Sequence, residues 1–113
     1  MNLRIPLRKL LGALETVAGV APARSSSSAI STNVLVEAKS DVLFLTATDF
    51  ETCVRQSIAA VVEAYGAVCV PAKAFLAIVR TLPDGEVSLR KVGYTLHVEV
   101  GEIHCELVGL DAR

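Results

Sequence analysis

Two similar stretches, RIPLRKLLGAL at residues 4–14 and CVPAKAFLAIV at residues 69–79, decide the fold of this chain. They align at an offset of 65 residues, and each reads as a strand end, a proline, a basic residue, two bulky apolar residues, a small residue and a final apolar residue. Proline suits the first turn of a helix, where its missing N–H has no intrahelical partner. Each stretch therefore predicts a short strand that leads into a helix, and the match indicates an internal repeat.

Apolar residues follow helical spacing after each proline and form one stripe per helix. The stripes consist of Leu7, Leu10, Leu11, Leu14, Val17 and Ala18 in the first helix, and of Phe75, Leu76, Ile78, Val79 and Leu82 in the second. On the outer faces, Arg8 and Gly12 correspond to Lys73 and Ala77. A basic residue beside a small one allows close approach to a polyanion, although an ordinary solvated helix face has the same composition.

Three strands are predicted after each helix, at residues 32–38, 42–48 and 52–62 and at residues 86–92, 94–100 and 102–108. Residues 39–41 form a hairpin turn, and Gly93 and Gly101 mark the later turns. Residues 42–45 are apolar on both parities, which predicts a strand covered on both faces. The chain is thus predicted to be an α+β protein, a duplicated β-α-β-β-β unit with two helices packed on one side of antiparallel sheet.

Composition limits the classes of protein that are possible. A chain of 113 residues suits one domain, and 52% hydrophobic residues with a mean hydropathy of +0.52 exclude a disordered chain. No apolar run approaches the roughly 18 residues that span a bilayer, and charges interrupt any signal-peptide core near the N-terminus, so a cytoplasmic location is expected. The net charge is −1, but residues 1–24 are basic and residues 99–113 acidic, which indicates a two-sided molecule.

No catalytic or metal-binding pattern stands out. Cys53, Cys69 and Cys105 form no C-x-x-C pair and are expected to be buried, reduced thiols. His97 and His104 lack the ligand spacing of a zinc site and are expected at the surface or facing a partner. We therefore expect no enzyme activity, no cofactor and no metal. A small α+β enzyme that uses Asp49 or His97 is the weakest alternative.

Three motifs resemble the first domain of the bacterial sliding clamp, the β subunit of DNA polymerase III. LFLTATDFE at residues 43–51 is similar to the family's L-x-L-x-[AG]-T-D-[LF]-E strand pair, and VPAKAFLAIVRTLPDGEV at residues 70–87 resembles its second-helix signature. CELVGLDA at residues 105–112 resembles the end of the domain. The likeness covers essentially all 113 residues. It departs from the family at Ser25–Ser28, where clamps usually carry an apolar stretch.

The resemblance implies a DNA-clamp fold and a non-catalytic processivity factor of DNA replication. In this family, two three-domain subunits form a homodimeric ring that encircles duplex DNA, tethers DNA polymerase III and is placed on DNA by a clamp loader. Residues 1–113 would be the N-terminal domain, the first of three. The alternative is an isolated clamp-like interaction module that pairs with or regulates a full-length clamp.

The resemblance also implies site residues. A sliding protein needs phosphate contacts without base readout, and matching the family's loop arginine gives Arg24 as the best contact with double-stranded DNA. Lys73 and Arg80 on the second helix follow, then Arg8 and Lys9 on the first. The last strand resembles the subunit edge of the family, where Ile103, Cys105 and Leu107 are expected to present a hydrophobic strip beside His104. Clamp-binding peptides dock between the second and third domains, so none is expected to bind here.

Overall fold

The structure is a computed structural model that describes residues 1–18, 33–48 and 53–110. Two helices lie within these ranges, α1 (Leu7–Ala18) and α2 (Ala72–Thr81). The strands there are β1 (Asn2–Pro6), β2 (Asn33–Lys39), β3 (Val42–Thr48), β4 (Cys53–Ala59), β5 (Val61–Ala64), β6 (Gly66–Pro71), β7 (Glu86–Val92), β8 (Thr95–Val100) and β9 (Ile103–Val108).

The strands form two antiparallel sheets, and the two halves of the chain exchange their first strands. The larger sheet has the order β5-β1-β7-β8-β9, and the smaller has the order β4-β3-β2-β6. The first strand of the first half, β1, pairs with β7 of the second half, whereas β6 pairs with β2 of the first half. The predicted duplicated β-α-β-β-β unit is confirmed, and each sheet contains strands from both halves.

The core is aliphatic and lies between the helices and the inner faces of the strands. The helices contact each other, and each contacts strands of both sheets. Leu10 and Phe75, which are equivalent in the repeat, are both fully buried, as are Leu14 and Val79. Inward positions of the strands complete the core, among them Leu3, Ile5, Val34, Val36, Leu43, Leu45, Val68, Val70, Val87, Leu89, Leu96 and Val98. The predicted apolar stripes are therefore the packing faces of the helices, with Leu11 and Ile78 half-buried at their margins.

The turn between β2 and β3 requires two residues in the left-handed region. Ser40 has φ 53° and Asp41 has φ 58°, as a type I′ hairpin turn demands at both central positions. In the equivalent turn of the second half, between β7 and β8, Gly93 has φ 62°. Aspartate tolerates this region better than most residues, and glycine does so without steric cost.

The strand predicted over residues 52–62 is divided at Ala60, so that prediction is wrong in its extent. The first part, β4, pairs with β3, and the second part, β5, pairs with β1 of the other sheet. Asp41 stabilises the place where the chain passes from one sheet to the other. Its carbonyl oxygen accepts a hydrogen bond from the N–H of Ala60 at 3.1 Å, and its Oδ1 accepts one from the N–H of Val62 at 3.3 Å. Alternation of side chains continues through the crossing, so the sequence pattern does not reveal it.

The second half has a shorter counterpart of this crossing after β9. Leu110 and Cys69 exchange backbone hydrogen bonds of 2.7 and 3.2 Å, which join the end of the larger sheet to the edge strand β6 of the smaller one. Cys69 is equivalent to Arg4 in the repeat, and Arg4 pairs with Val61 of β5. Gly109 lies so close to this bridge that a Cβ would collide with the carbonyl oxygen of Cys69.

Within the described ranges, the outer face of β3 is covered by side chains and not by a further helix or sheet. Phe44 is half-buried there, with the guanidinium carbon of Arg55 4.2 Å and Nζ of Lys39 5.6 Å from its ring centre. Oε1 of Glu37 lies 3.8 Å from Nη2 of Arg55. The apolar residues that predicted a strand covered on both faces are thus shielded on the outside by cationic side chains.

Candidate nucleic-acid interface and strand edge

The exposed faces of α1 and α2 carry the four helix residues predicted to contact DNA. Arg8 and Lys9 lie in the first turn of α1, and Lys73 lies in the first turn of α2, while Arg80 lies near the end of α2; all four are exposed. Arg24, predicted as the best contact, lies outside the described residues, as do Ser25–Ser28 and Asp49. Exposure makes these side chains accessible, and their binding role stays a prediction.

Neither helix has an acidic residue in its first turn. The N-terminus of a helix carries a partial positive charge, so acidic residues are favourable there and basic residues are not. Arg8, Lys9 and Lys73 therefore add positive charge where the backbone already provides it. This arrangement raises the electrostatic potential at both helix N-termini and suits them to anions.

Two of the four cations are engaged in exposed ion pairs. Arg8 Nε lies 3.3 Å from Asp84 Oδ2, and Arg80 Nη2 lies 3.4 Å from Glu15 Oε2. Such exposed pairs contribute about 0–1 kcal/mol, so they exchange readily with other anions. Glu15 and Arg80 are equivalent positions of the repeat, so this ion pair joins the two halves of the chain.

Lys9 and Lys73 have no acidic partner within 4.0 Å among residues 1–18, 33–48 and 53–110. Lys9 lies in a shallow depression toward β5, together with Arg4, Ala60 and Glu86. The structure therefore places Lys9 away from the contact between α1 and α2. Lys73 lies at the position equivalent to Arg8.

Two further cations lie on β7, away from the helix faces. Arg90 and Lys91 are half-buried, and the backbone N–H of Lys91 donates to the carbonyl oxygen of Met1 at 3.0 Å. Partial burial, and to a smaller degree the charge of Lys91, lower the pKa of the Met1 amine below its usual 8.0. These two residues provide a comparison for the helix cations, because they are basic but less accessible.

Strand β9 forms one edge of the larger sheet and pairs with β8 alone within the described part of the chain. Ile103, Cys105 and Leu107 lie opposite the buried residues of β8, so they point to the core side. Leu107 is only 7% exposed and Cys105 is half-buried, whereas Ile103 is 43% exposed. The burial of the expected hydrophobic strip thus increases from Ile103 to Leu107, where α2 and β6 lie beside β9, and its role in subunit contact stays a prediction.

Other apolar side chains are exposed near this edge and were missed in the sequence. Val108 is 77% exposed and Leu110 is 50% exposed. Val108 shares the outward parity of His104 and Glu106, so the alternation of β9 could have identified it. The edge thus presents apolar surface at its two ends, at Ile103 and at Val108.

The two histidines meet on the outer face of the β8–β9 hairpin. His97 Nδ1 lies 2.9 Å from His104 Nε2, and the rings are edge to face with centroids 5.0 Å apart. Glu99 and Glu106 lie beside them. His104 lies at the surface as expected, whereas the side chain of His97 is only 15% exposed. The sequence signal for their proximity is a repeated H-x-E, at residues 97–99 and 104–106, on either side of the turn at Gly101.

The thiols are less buried than expected. Cys53 is exposed, Cys69 and Cys105 are half-buried, and none of the three forms a disulfide. The expectation of buried thiols is wrong for Cys53 because this residue shares the outward parity of β4 with Arg55 and Ser57, whereas Val54 and Ile58 point inward. Within residues 1–18, 33–48 and 53–110, neither helix is long and apolar enough to cross a membrane.

Fold and site together define the class. Solved structures with this arrangement are bacterial DNA sliding clamps. The β subunit of polymerase III from Caulobacter crescentus is 34% identical with a TM-score of 0.92, over 99% of this chain and 31% of that chain. A Bartonella birtlesii sliding clamp bound to griselimycin is 31% identical with a TM-score of 0.93, over 99% of this chain and 30% of that chain. A Helicobacter pylori clamp bound to a DNA ligase peptide is 23% identical with a TM-score of 0.93, over 99% and 31%, and shares the fold.

The chain matches a family model, the N-terminal domain of the DNA polymerase III beta subunit, over residues 1–113, and it belongs to that family. No curated protein sequence shows a significant match. The chain spans about a third of the length of the solved clamps that it matches, 31% of the Caulobacter protein.

Proposed function

We propose that residues 1–113 are the first of three domains of a DNA replication processivity factor, a ring-shaped sliding clamp that encircles duplex DNA and tethers DNA polymerase III. The observation that carries this proposal is the family match over the whole chain, which corresponds to 31% of a full clamp subunit. The partners of the complete protein would be double-stranded DNA, DNA polymerase III, a clamp loader and a second copy in a homodimer, all in the cytoplasm. The domain itself has no enzymatic role.

The helix faces support a DNA-facing role. Arg8, Lys9 and Lys73 lie at helix N-termini, where a basic residue is unfavourable for the helix but favourable for a phosphate. Arg80 and, in the loop, Arg24 complete the proposed set of contacts. Because these side chains are long and lie on helix faces, they can contact phosphates without reading bases.

The weak ion pairs of Arg8 and Arg80 suit sliding. A cation that alternates between Asp84 or Glu15 and a passing phosphate exchanges one exposed ion pair for another. The free-energy difference between the two states is then small, so no register along the duplex is strongly preferred.

The edge strand β9 supports a role in subunit contact, with Ile103, Cys105, Leu107 and His104 as the proposed region. Among the described residues only β8 pairs with it, which leaves its outer N–H and C=O groups to another strand, and its apolar side chains are accessible at Ile103 and Val108. The same open edge favours the second candidate, an interaction module that pairs with a full-length clamp. An experiment that measures whether this chain competes with a full-length clamp for loading onto DNA distinguishes the interaction module from the clamp domain.

A titration of duplex DNA with matched charge variants tests the helix-face assignment. We expect the domain to bind non-specifically and weakly, with a dissociation constant of about 10⁻⁴ M or higher at physiological salt. Replacing Lys73 and Arg80 by Ala removes most of this binding, whereas replacing Arg90 and Lys91 by Ala, the same loss of charge, changes it little. Fluorescence anisotropy at low salt measures both.

The reverse ranking, with binding lost in the β7 variant and kept in the α2 variant, would show that the helix faces do not contact DNA. Equal losses in both variants would show that only net charge matters. A preference of more than a few-fold for one DNA sequence would contradict phosphate-only contact.

A further inference from the structure

Four side chains on the outer face of the β8–β9 hairpin form a compact group, which we call the histidine–glutamate cluster: His97, Glu99, His104 and Glu106. The antiparallel register places His97 opposite Glu106 and Glu99 opposite His104. The hairpin has a two-residue turn, so each H-x-E segment aligns its histidine with the glutamate of the other. The two histidines of the cluster are the two histidines of the whole chain.

Three donor atoms converge within this cluster. His97 Nδ1 and His104 Nε2 are 2.9 Å apart, and Glu106 Oε2 lies 3.4 Å from His104 Nε2 and 3.9 Å from His97 Nδ1. Around a tetrahedral zinc ion, bonds of about 2.0–2.2 Å place neighbouring ligand atoms about 3.3–3.6 Å apart. The observed separations bracket that range, so side-chain adjustments of a few tenths of an ångström bring the three atoms onto one ion.

Glu99 fixes the orientation of one imidazole. Its Oε2 lies 3.2 Å from Nδ1 of His104, and Nε2 of that ring is the atom nearer to His97 and Glu106. Metal-binding histidines in proteins usually donate their second ring N–H to a carboxylate in this way. The cluster therefore contains both the ligands and the supporting contact of a metal site.

We propose that the histidine–glutamate cluster binds a zinc ion through His97 Nδ1, His104 Nε2 and Glu106 Oε2, with a water molecule in the fourth position. Two imidazoles and one carboxylate suit this borderline-soft cation. Without metal, one of the two imidazole nitrogens that are 2.9 Å apart donates its N–H to the other. Zinc binds both rings as neutral imidazoles, so the donating ring takes the tautomer that carries its proton on the other ring nitrogen, with no change in the number of bound protons.

Local charge favours a cation here. Glu99, Glu102 and Glu106 lie on the hairpin, and Arg90, opposite His97 on β7, is the basic neighbour. The side chains of His104 and Glu106 are 38% and 59% exposed and that of His97 is 15% exposed, so an ion reaches the cluster from the side of His104 and Glu106. The proposal does not depend on the clamp function. It is also compatible with strand pairing at β9, because pairing uses the backbone edge and leaves the outer face open.

Titration of the purified chain with zinc chloride against a chromophoric chelator measures the affinity, and NMR of the imidazole nitrogens identifies the atoms. We expect one zinc per chain, with the signals of His97 Nδ1 and His104 Nε2 shifted and both tautomers fixed. Since the chain has two histidines, their signals are assigned from the variants His97→Gln and His104→Gln. Each of these variants, and Glu106→Gln, weakens binding about a hundredfold or more, and Glu99→Gln weakens it about tenfold.

Glu102→Gln is the matched control, because it removes the same charge from the same hairpin without removing a ligand. It changes the affinity less than about threefold if the ion is coordinated. An equal loss in Glu102→Gln and Glu106→Gln would overturn the proposal in favour of diffuse attraction to acidic side chains. Zinc binding that persists in the double variant His97→Gln/His104→Gln would also overturn the proposal and would point to the thiols. The absence of binding at millimolar zinc would overturn it as well. Circular dichroism verifies that each variant is folded.

Discussion

The two halves of the molecule have the same frame but different exposed surfaces. Leu10 and Leu14 in the first half and Phe75 and Val79 in the second lie at equivalent positions, and all four are fully buried. The outer faces of the hairpins differ: Phe44 lies beneath Arg55 in the first half, whereas the second half carries the histidine–glutamate cluster. A shared core constrains the volume and polarity of inward positions in both halves, while outward positions are free to take separate roles.

One exposed feature is nevertheless the same in both halves. Arg8 and Lys73 are equivalent and lie in the first turns of the two helices, where a cation lowers helix stability. By contrast, Glu15 and Arg80 are equivalent positions of opposite charge, and they pair with each other. Basic first turns in both halves, in spite of their energetic cost, support the proposal that this surface faces an anion.

The largest expected effect tests whether the two halves are one unit of stability. Phe75→Ala should lower the free energy of unfolding by about 3–5 kcal/mol, and Leu10→Ala by about 2–5 kcal/mol, since both remove fully buried side chains. Because the halves exchange strands, both variants should unfold in urea in a single transition, followed by circular dichroism and tyrosine fluorescence. Ala77→Ser, at an exposed position of α2, is the control and should change stability by about 0.5 kcal/mol. Separate transitions for the two halves would contradict the shared core.

A smaller effect is expected at the two equivalent hairpin turns. Asp41→Ala and Gly93→Ala should each cost about 1–2 kcal/mol, because alanine is strained at φ 58° and φ 62°. Asp41→Gly relieves the backbone but removes the acceptor for the N–H of Val62, so it should cost less than Asp41→Ala. Thermal unfolding ranks the three. If Asp41→Gly proved as damaging as Asp41→Ala, the contact at the strand crossing would outweigh the backbone conformation.

The smallest effect concerns the Glu15–Arg80 ion pair between the two helices, and its prediction rests on the proposed DNA contact. Glu15→Gln removes the partner of Arg80 and one negative charge from the helix face, so DNA affinity at low salt should rise a few-fold. The slope of log K against log salt should steepen by up to about one unit. Stability should fall by less than about 1 kcal/mol, since the pair is exposed. The control is Glu63→Gln, which removes an acidic partner from Arg4 on the strands. Unchanged DNA affinity in Glu15→Gln would place Arg80 outside the DNA-binding surface.

Local patterns in the sequence predicted the helices, the hairpins and the helix cations. The helices follow from apolar spacing after Pro6 and Pro71, and Gly93 and Gly101 marked turns because glycine adopts a positive φ without strain. Non-local partners could not be predicted in the same way. The alternation of residues 52–62 is the same whichever sheet the strand joins, so the crossing at Ala60 left no trace in the pattern.

The candidate sites show the same limit. Ile103, Cys105 and Leu107 were correctly placed on one face, but parity does not say that α2 and β6 cover it. The histidine–glutamate cluster depends on the register of β8 with β9 and on a diagonal contact between His97 and His104. Metal-site patterns on helices and loops have fixed spacings, whereas a site across two strands depends on where the turn falls.

The exchange of first strands affects how the chain folds while it is being synthesised. Strand β1 can complete its sheet only with β7, since Leu3 and Ile5 pair with Leu89 and Val87. At about 5–20 residues per second, the ribosome needs on the order of 4–17 seconds to deliver β7 after β1. During that interval β1 has only β5 beside it in the sheet, and α1 has β3 and β4 but not α2. Long-range pairing of the kind that joins β1 to β7 is itself slow. We therefore expect the nascent first half to expose part of its apolar surface until β7 and α2 have been synthesised.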